Sequence, residues 1–318
     1  MIYKLMQNRV RRTYRGGSRI DDFTGENINV SDGIYLPEDW TASVTKAFYG
    51  SVEIDGEGLG RTTDGKMIKD IVGSNLPILV KLLDSDERLV IQAHPTREFA
   101  QKVLGLPYGK TECWYFLDCL PDACVYLGFR KGITREKFKN AFNNNDSQEM
   151  LSMLHRIPVK PGDFVFVDGG VPHAIGAGCF IIELQEPSDL IVVGERYTPS
   201  GMKIAEKKLH MGLGYEKMFD VYDFTGYEFD EIKEKYCPTP KEIDKGIYEI
   251  LGSKLTDKFS MYRLEGETNF KLSRPYAVAI VAAGEGRINE TCVKKGDRLL
   301  ISDENIIITG NVEIIICI

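Results

Sequence analysis

From Lys160 to Gln185 the chain alternates turn residues with short apolar runs. Lys160-Pro161-Gly162-Asp163 signals a turn, Phe164-Val165-Phe166-Val167 follows, and Asp168-Gly169-Gly170 turns the chain again ahead of His173. Gly176-Ala177-Gly178 then leads into Cys179-Phe180-Ile181-Ile182-Glu183-Leu184-Gln185, where the two-residue period puts Glu183 and Gln185 on one strand face. Runs of this length between turn clusters specify antiparallel strands, and a hairpin built this way holds an imidazole at the rim of a β-barrel.

The chain has four histidines, and a second one lies in a strand context. Leu89-Val90-Ile91 reads as a strand entering a core, Gln92 and His94 leave one face of it, and Pro95 ends the pairing because it has no N–H to donate. With Glu112 in Gly109-Lys110-Thr111-Glu112-Cys113-Trp114-Tyr115 and His173 in Val171-Pro172-His173-Ala174, these residues offer two imidazoles, a carboxylate and an amide oxygen. Such a mixed N/O set suits one borderline divalent ion, zinc first, with a position open to water or substrate. Iron(II) is the alternative metal, which would make the chain an oxygenase. The plainer alternative is that His94 and His173 are barrel histidines satisfied by backbone carbonyls.

Four blocks, in order and at similar separations, resemble the type I mannose-6-phosphate isomerases in their short bacterial form. They are Leu76-Pro77-Ile78-Leu79-Val80-Lys81-Leu82-Leu83, Ile91 to Pro95, Gly109 to Tyr115, and the stretch from Pro161 through His173 and Glu183 to Ser188-Asp189. The resemblance implies a mainly β protein, a cupin (jelly-roll) barrel with helical insertions, and metal ligands at Gln92, His94, Glu112 and His173. It also implies aldose–ketose isomerisation, interconverting mannose 6-phosphate and fructose 6-phosphate through an enediol. Glu183 is the candidate for proton transfer, with the alternative of orienting His173, and Lys110 the candidate for meeting an anionic substrate or intermediate, with the alternative of an exposed lysine paired with a carboxylate. Lys81 matches a family lysine proposed to meet the phosphate; the alternative is a strand-end lysine in solvent. Two positions depart from the family pattern. Val90 stands where a substrate-holding serine is usual, and Val193 where an arginine is usual, which leaves Arg196 as the nearest substitute or as a surface partner of Glu195. These departures keep open an isomerase of another or unphosphorylated sugar, and a non-catalytic sugar-binding protein on the same scaffold.

A chain of 318 residues can bury a large core. Its net charge of -7 argues against sequence-independent nucleic-acid binding, and no apolar run is long enough for a membrane helix. The start Met1 to Met6 lacks a signal peptide's apolar stretch, and seven cysteines without metal-type spacing suit reduced thiols, so a cytoplasmic protein is expected. Short strands are expected at Ala47-Phe48-Tyr49 and Val52-Glu53-Ile54. Helices are expected at Arg97 to Leu104, where Phe99 and Val103 are four apart, at Thr134 to Phe142, where Phe138 and Phe142 repeat that spacing, and at Ser147 to Leu154, with these aromatics in the core. Charge and prolines mark Asp220 to Lys245 as a connection. Residues 1–235 then form the metal-binding domain and 236–318 a second cupin-like β domain, or a plain β-sandwich extension, with Gly284-Glu285-Gly286 separating strands. That second part contains no histidine and is expected to be structural.

Overall fold

The computed structural model describes residues 1–318 apart from 29–32, 50–51, 54–55 and 74–75. Two six-stranded sheets, antiparallel except for the parallel pairing of Gly226–Tyr227, build the part that carries the site. One runs in the order Leu154–Pro158, Cys124–Arg130, His173–Ile175, Gln92–Ala93 and Val192–Val193, with Gly226–Tyr227 added to Cys124–Arg130. The other runs Phe164–Val167, Glu112–Cys119, Cys179–Gln185, Leu79–Ser85, Glu38–Thr41 and Arg9–Val10. Val125, Leu127 and Ile175 of the first sheet share one apolar core with Val80, Leu82, Trp114 and Ile182 of the second, the two-layer closure of a jelly roll. Burial on both faces explains why Leu79–Ser85 and Cys179–Gln185 are buried along their whole length.

A third, nine-stranded sheet gathers the C-terminal strands from Lys241–Asp244 to Asn305–Cys317. It also takes in the first strand of the chain, because Ile2, Tyr3 and Lys4 pair with Ile301, Leu300 and Leu299. Gly284 and Gly286 do not separate strands here; both lie inside the strand Ala277–Ile288. They are glycines because the partner strand comes too close. At Gly284, with φ of 71°, a Cβ would stand 1.9 Å from the Asn311 carbonyl oxygen. A register shift between Val281 and Ala283 bends this long ribbon.

Thr134 caps the helix Arg135–Asn143 through Lys137 N, and Phe138 and Phe142 are buried as the spacing requires. Asp146 caps Ser147–Ser152, which stops short of Leu154 because that residue begins the next strand. Two of these expectations need correction. Arg97–Phe99 widens into π-type turns over Ala100–Leu104, which leaves Phe99 partly buried against the core and Val103 48% exposed, so the four-residue spacing does not give one buried face here. The expected connection Asp220 to Lys245 holds a helix, Phe229–Tyr236, started by Glu231 accepting from Glu228 N at 2.7 Å and anchored by buried Ile232 and Tyr236. Phe48–Tyr49 and Val52–Glu53 do pair, while Ile54 lies outside the described residues. Among the described residues no helix is long and apolar enough to cross a membrane.

Candidate metal centre and substrate cavity

Strand register brings the distant blocks together. His173 pairs with Gln92 across one sheet, and Glu112 opens the strand Glu112–Cys119 of the other. Gly109 carries the chain tightly past the Pro95 end, where a Cβ would meet Arg97 N at 2.5 Å; the Lys110 N–H then donates to the Pro95 carbonyl at 3.0 Å. Thr111 is tied down on both sides. Its N–H donates to Glu186 at 3.0 Å and its hydroxyl to Asp168 at 3.0 Å, so Lys110 and Glu112 face inward on a fixed segment.

One nitrogen, one oxygen and one nitrogen from His94, Glu112 and His173 lie within 4.8 Å of one another, all three residues being buried. Glu112 Oε2 is 3.2 Å from His94 Nε2, and Glu112 Oε1 is 3.3 Å from His173 Nε2. Backbone carbonyls do satisfy the histidines, but only at Nδ1: Leu190 O lies 2.8 Å from His94 and Val171 O lies 2.9 Å from His173. That fixes the tautomer, so each Nε2 presents a lone pair toward the carboxylate. Burial and then Lys110 push the His94 imidazole down to about 3, and burial also lowers His173, so both stay neutral at physiological pH. Burial alone would raise the Glu112 carboxyl; the Lys110 ammonium outweighs it and holds the group well below the carboxylate range.

Three lone-pair donors facing one point repel each other unless a cation lies among them. Lys110 Nζ partly fills that need at 3.0 Å from His94 Nε2 and 3.1 Å from Glu112 Oε2, yet Glu112 Oε2 has no aligned hydrogen bond. The Gln92 amide nitrogen is 3.2 Å from His173 Nε2, and a half-turn of the amide would aim its oxygen at the same place. The donor set therefore fits a divalent ion held by nitrogen and oxygen.

Gln92 and Lys110, both touching the triad, line a cavity of about 230 Å³. Glu183 and Lys81 lie on its wall in direct register on neighbouring strands, 2.7 Å apart and both buried. Lys81 is thus no solvent lysine; burial works against its charge, but Glu183 and Glu38 outweigh that and raise it above the usual lysine range. Burial raises the Glu183 carboxyl against the pull of Lys81. Its ion-pair partner is Lys81, and the His173 ring is held instead by the Val171 carbonyl, so the alternative of Glu183 orienting His173 has no contact behind it. Val90 and Val193 both line the cavity. Arg196 does not reach it. The guanidinium carbon stacks 4.3 Å from the Phe142 ring and 4.7 Å from that of Tyr215, and Glu195 pairs with Arg88 instead of with Arg196.

Sequence reasoning missed Glu38 and the N-terminal residues around it. Glu38 accepts from Arg12 Nε at 2.8 Å, Tyr14 OH at 2.6 Å and Trp40 Nε1 at 2.7 Å, and lies 3.7 Å from Lys81. Burial opposes its ionisation, but Arg12 and Lys81 hold the carboxyl far below its ordinary range. The two-residue spacing of Glu38 and Trp40 was the available signal, since it places both on one strand face. Arg12 and Asp189, 3.3 Å apart and both lining the cavity, pair across 177 residues of chain, and nothing in either segment signals that pairing.

A two-sheet β-barrel with a buried His-Glu-His group opening on a polar cavity defines a metal-binding enzyme scaffold of the cupin kind. The family model for the phosphomannose isomerase type I catalytic domain matches residues 57–115. The chain is 33% identical to mannose-6-phosphate isomerase ManA of Bacillus subtilis (strain 168) over 72% of its own length and 70% of that protein. With probable mannose-6-phosphate isomerase GmuF of the same organism it shares 34% identity over 68% of this chain, an alignment spanning 64% of that relative, slightly less than two thirds. The crystal structure of the Bacillus subtilis mannose 6-phosphate isomerase superposes with a TM-score of 0.76 at 23% identity, covering 99% of both chains. The chain belongs to the type I mannose-6-phosphate isomerases, a family of metal-dependent aldose–ketose isomerases.

Proposed function

We propose that this protein is a zinc-dependent aldose–ketose isomerase that interconverts mannose 6-phosphate and fructose 6-phosphate. The observation that carries this reading is the buried His94–Glu112–His173 group next to a cavity that also holds a buried carboxylate, Glu183. Gln92, His94, Glu112 and His173 would hold a single divalent ion, which would supply Lewis-acid stabilisation of the negative charge that develops on the sugar. Glu183 takes the proton from the carbon beside the carbonyl and returns it to the neighbouring carbon by way of an enediol. Its burial suits this work, because a base with a raised pKa is better matched to a weakly acidic C–H. Lys110 supplies positive charge to the developing oxyanion, and Lys81 holds Glu183 in place while facing the sugar. Residues 1–235 carry the chemistry and residues 236–318 serve a structural role. The seven cysteines are free thiols, which suits a cytoplasmic location.

Val90 and Val193 support a second reading, an isomerase that takes another or unphosphorylated sugar, since both put apolar surface where a hydroxyl or guanidinium would grip the substrate. Metal analysis combined with a coupled assay on mannose 6-phosphate and on mannose tests both. One zinc per chain with a clear preference for the phosphorylated sugar supports the first reading; equal kcat/KM on both sugars favours the second, and a metal-free, inactive protein refutes both.

A further inference from the structure

Five cationic and three carboxylate side chains line the cavity, so it has more positive charge than its own acids offset. Arg12 is held by Glu38 and Asp189, Lys81 by Glu183 and Glu38, and Lys110 by Glu112. Lys207 is exposed. Lys208 differs from all of these. It sits on the short helix Glu206–His210, its side chain is half-buried on the cavity wall, and its ammonium makes no ion pair or hydrogen bond among the described residues. Burial and then Arg12 make its charge harder to hold. The other charges acting on it are Asp189 and Glu38, which belong to the Arg12 end of the cavity.

A desolvated ammonium without a counter-ion is costly, and the cost is recovered when an anion binds. Lys81, already matched by two carboxylates, has no such deficit. We propose that Lys208 is the anion-recognition residue of this cavity, binding the phosphate of a sugar substrate at the Arg12 end and setting the preference for phosphorylated over neutral sugars. Identifying the anion as a substrate phosphate rests on the isomerase reading; recognition of an anion by Lys208 does not.

The test uses the zinc-loaded full chain with inorganic phosphate as the calorimetric probe, together with turnover of mannose 6-phosphate and mannose. Lys208→Met should weaken phosphate binding roughly 10- to 100-fold, the worth of one hydrogen bond to a charged group. Lys208→Arg should retain most of it. The same Met variant should raise KM for mannose 6-phosphate while kcat on that sugar and all parameters on mannose hold. Equal phosphate affinity in the wild type and Lys208→Met, or no saturable binding to the wild type, would overturn the proposal. If the wild type turns over neither sugar but phosphate binding still depends on Lys208, the isomerase reading fails and the anion site stands.

Discussion

The C-terminal sheet and the two-sheet barrel are both built mainly from antiparallel ladders, but their interiors are filled differently. Between its strands the C-terminal sheet packs Ala279, Val281, Leu299, Ile301, Ile314 and Ile316, all fully or almost fully buried and all apolar. The barrel buries Glu38, Lys81, Lys110, Glu112 and Glu183 at 7% exposure or less. Charges in such a place cost several kcal/mol each unless matched, so the barrel keeps them only as a paired network: Arg12 with Glu38, Lys81 with Glu183, Lys110 with Glu112. An interior that gives up apolar filling for paired charge is organised around chemistry, whereas an apolar one is organised around stability.

The sharpest way to break this comparison is to injure each region where it is most itself. His173→Ala should abolish isomerase activity and metal binding together, while Ile316→Ala should lower the free energy of unfolding by about 2 to 5 kcal/mol and leave zinc per folded chain unchanged. Metal analysis and denaturant unfolding on both variants decide it; full metal occupancy in His173→Ala would make that histidine an ordinary core residue.

Glu183→Gln should reduce kcat by roughly 10² to 10⁴ with metal content intact. The raised carboxyl gives the sign of the pH effect: the base is ionised above its pKa, so wild-type kcat/KM should fall as pH drops through that raised value. Zinc loss accompanying the kcat loss would instead give Glu183 a part in holding the metal site.

Glu38→Gln removes the charge that offsets both Arg12 and Lys81 and should destabilise the fold by about 3 to 5 kcal/mol without touching the metal donors. The folded-state pKa of Glu38 is depressed, so its contribution is present above the unfolded value and is lost only as pH falls through the folded one. Urea melts should therefore show the gap between wild type and variant persisting into the acid range. Smallest of all, Arg196→Ala should cost about 0.5 to 1 kcal/mol of stability through the lost stacking on Phe142 and Tyr215 and leave kcat/KM unchanged. A large loss of activity there would return Arg196 to the chemistry.

Much of the barrel was legible locally. Lys160-Pro161-Gly162-Asp163, the apolar run after it and the Gly-rich turns specify strands through φ preferences and a two-residue period that need no distant partner, and Thr134 and Asp146 cap helices by bonds three residues long. Gln92, His94, Glu112 and His173 stood out for the same reason, as metal-type donors at strand ends. Other features depend on partners far along the chain. The joining of Ile2–Lys4 to Arg298–Ile301 lacks any signal in its own segment, because a strand of three residues takes its stability from the ladder it joins. Gly284 and Gly286 look like a turn, and only the approach of Asn311 and Thr309 across the ribbon makes them strand residues.

By itself the sequence determined which residues could bind metal and which runs could pair, since both follow from side-chain chemistry and backbone preference within a few positions. Only the tertiary structure decided how charge is shared. It matched Lys81 to Glu183 and Glu38, drew Arg196 away onto Phe142 and Tyr215, and left Lys208 facing the cavity without a counter-ion. Electrostatic partnership depends on distance and desolvation in the folded molecule, and neither is encoded in the spacing of residues along a chain.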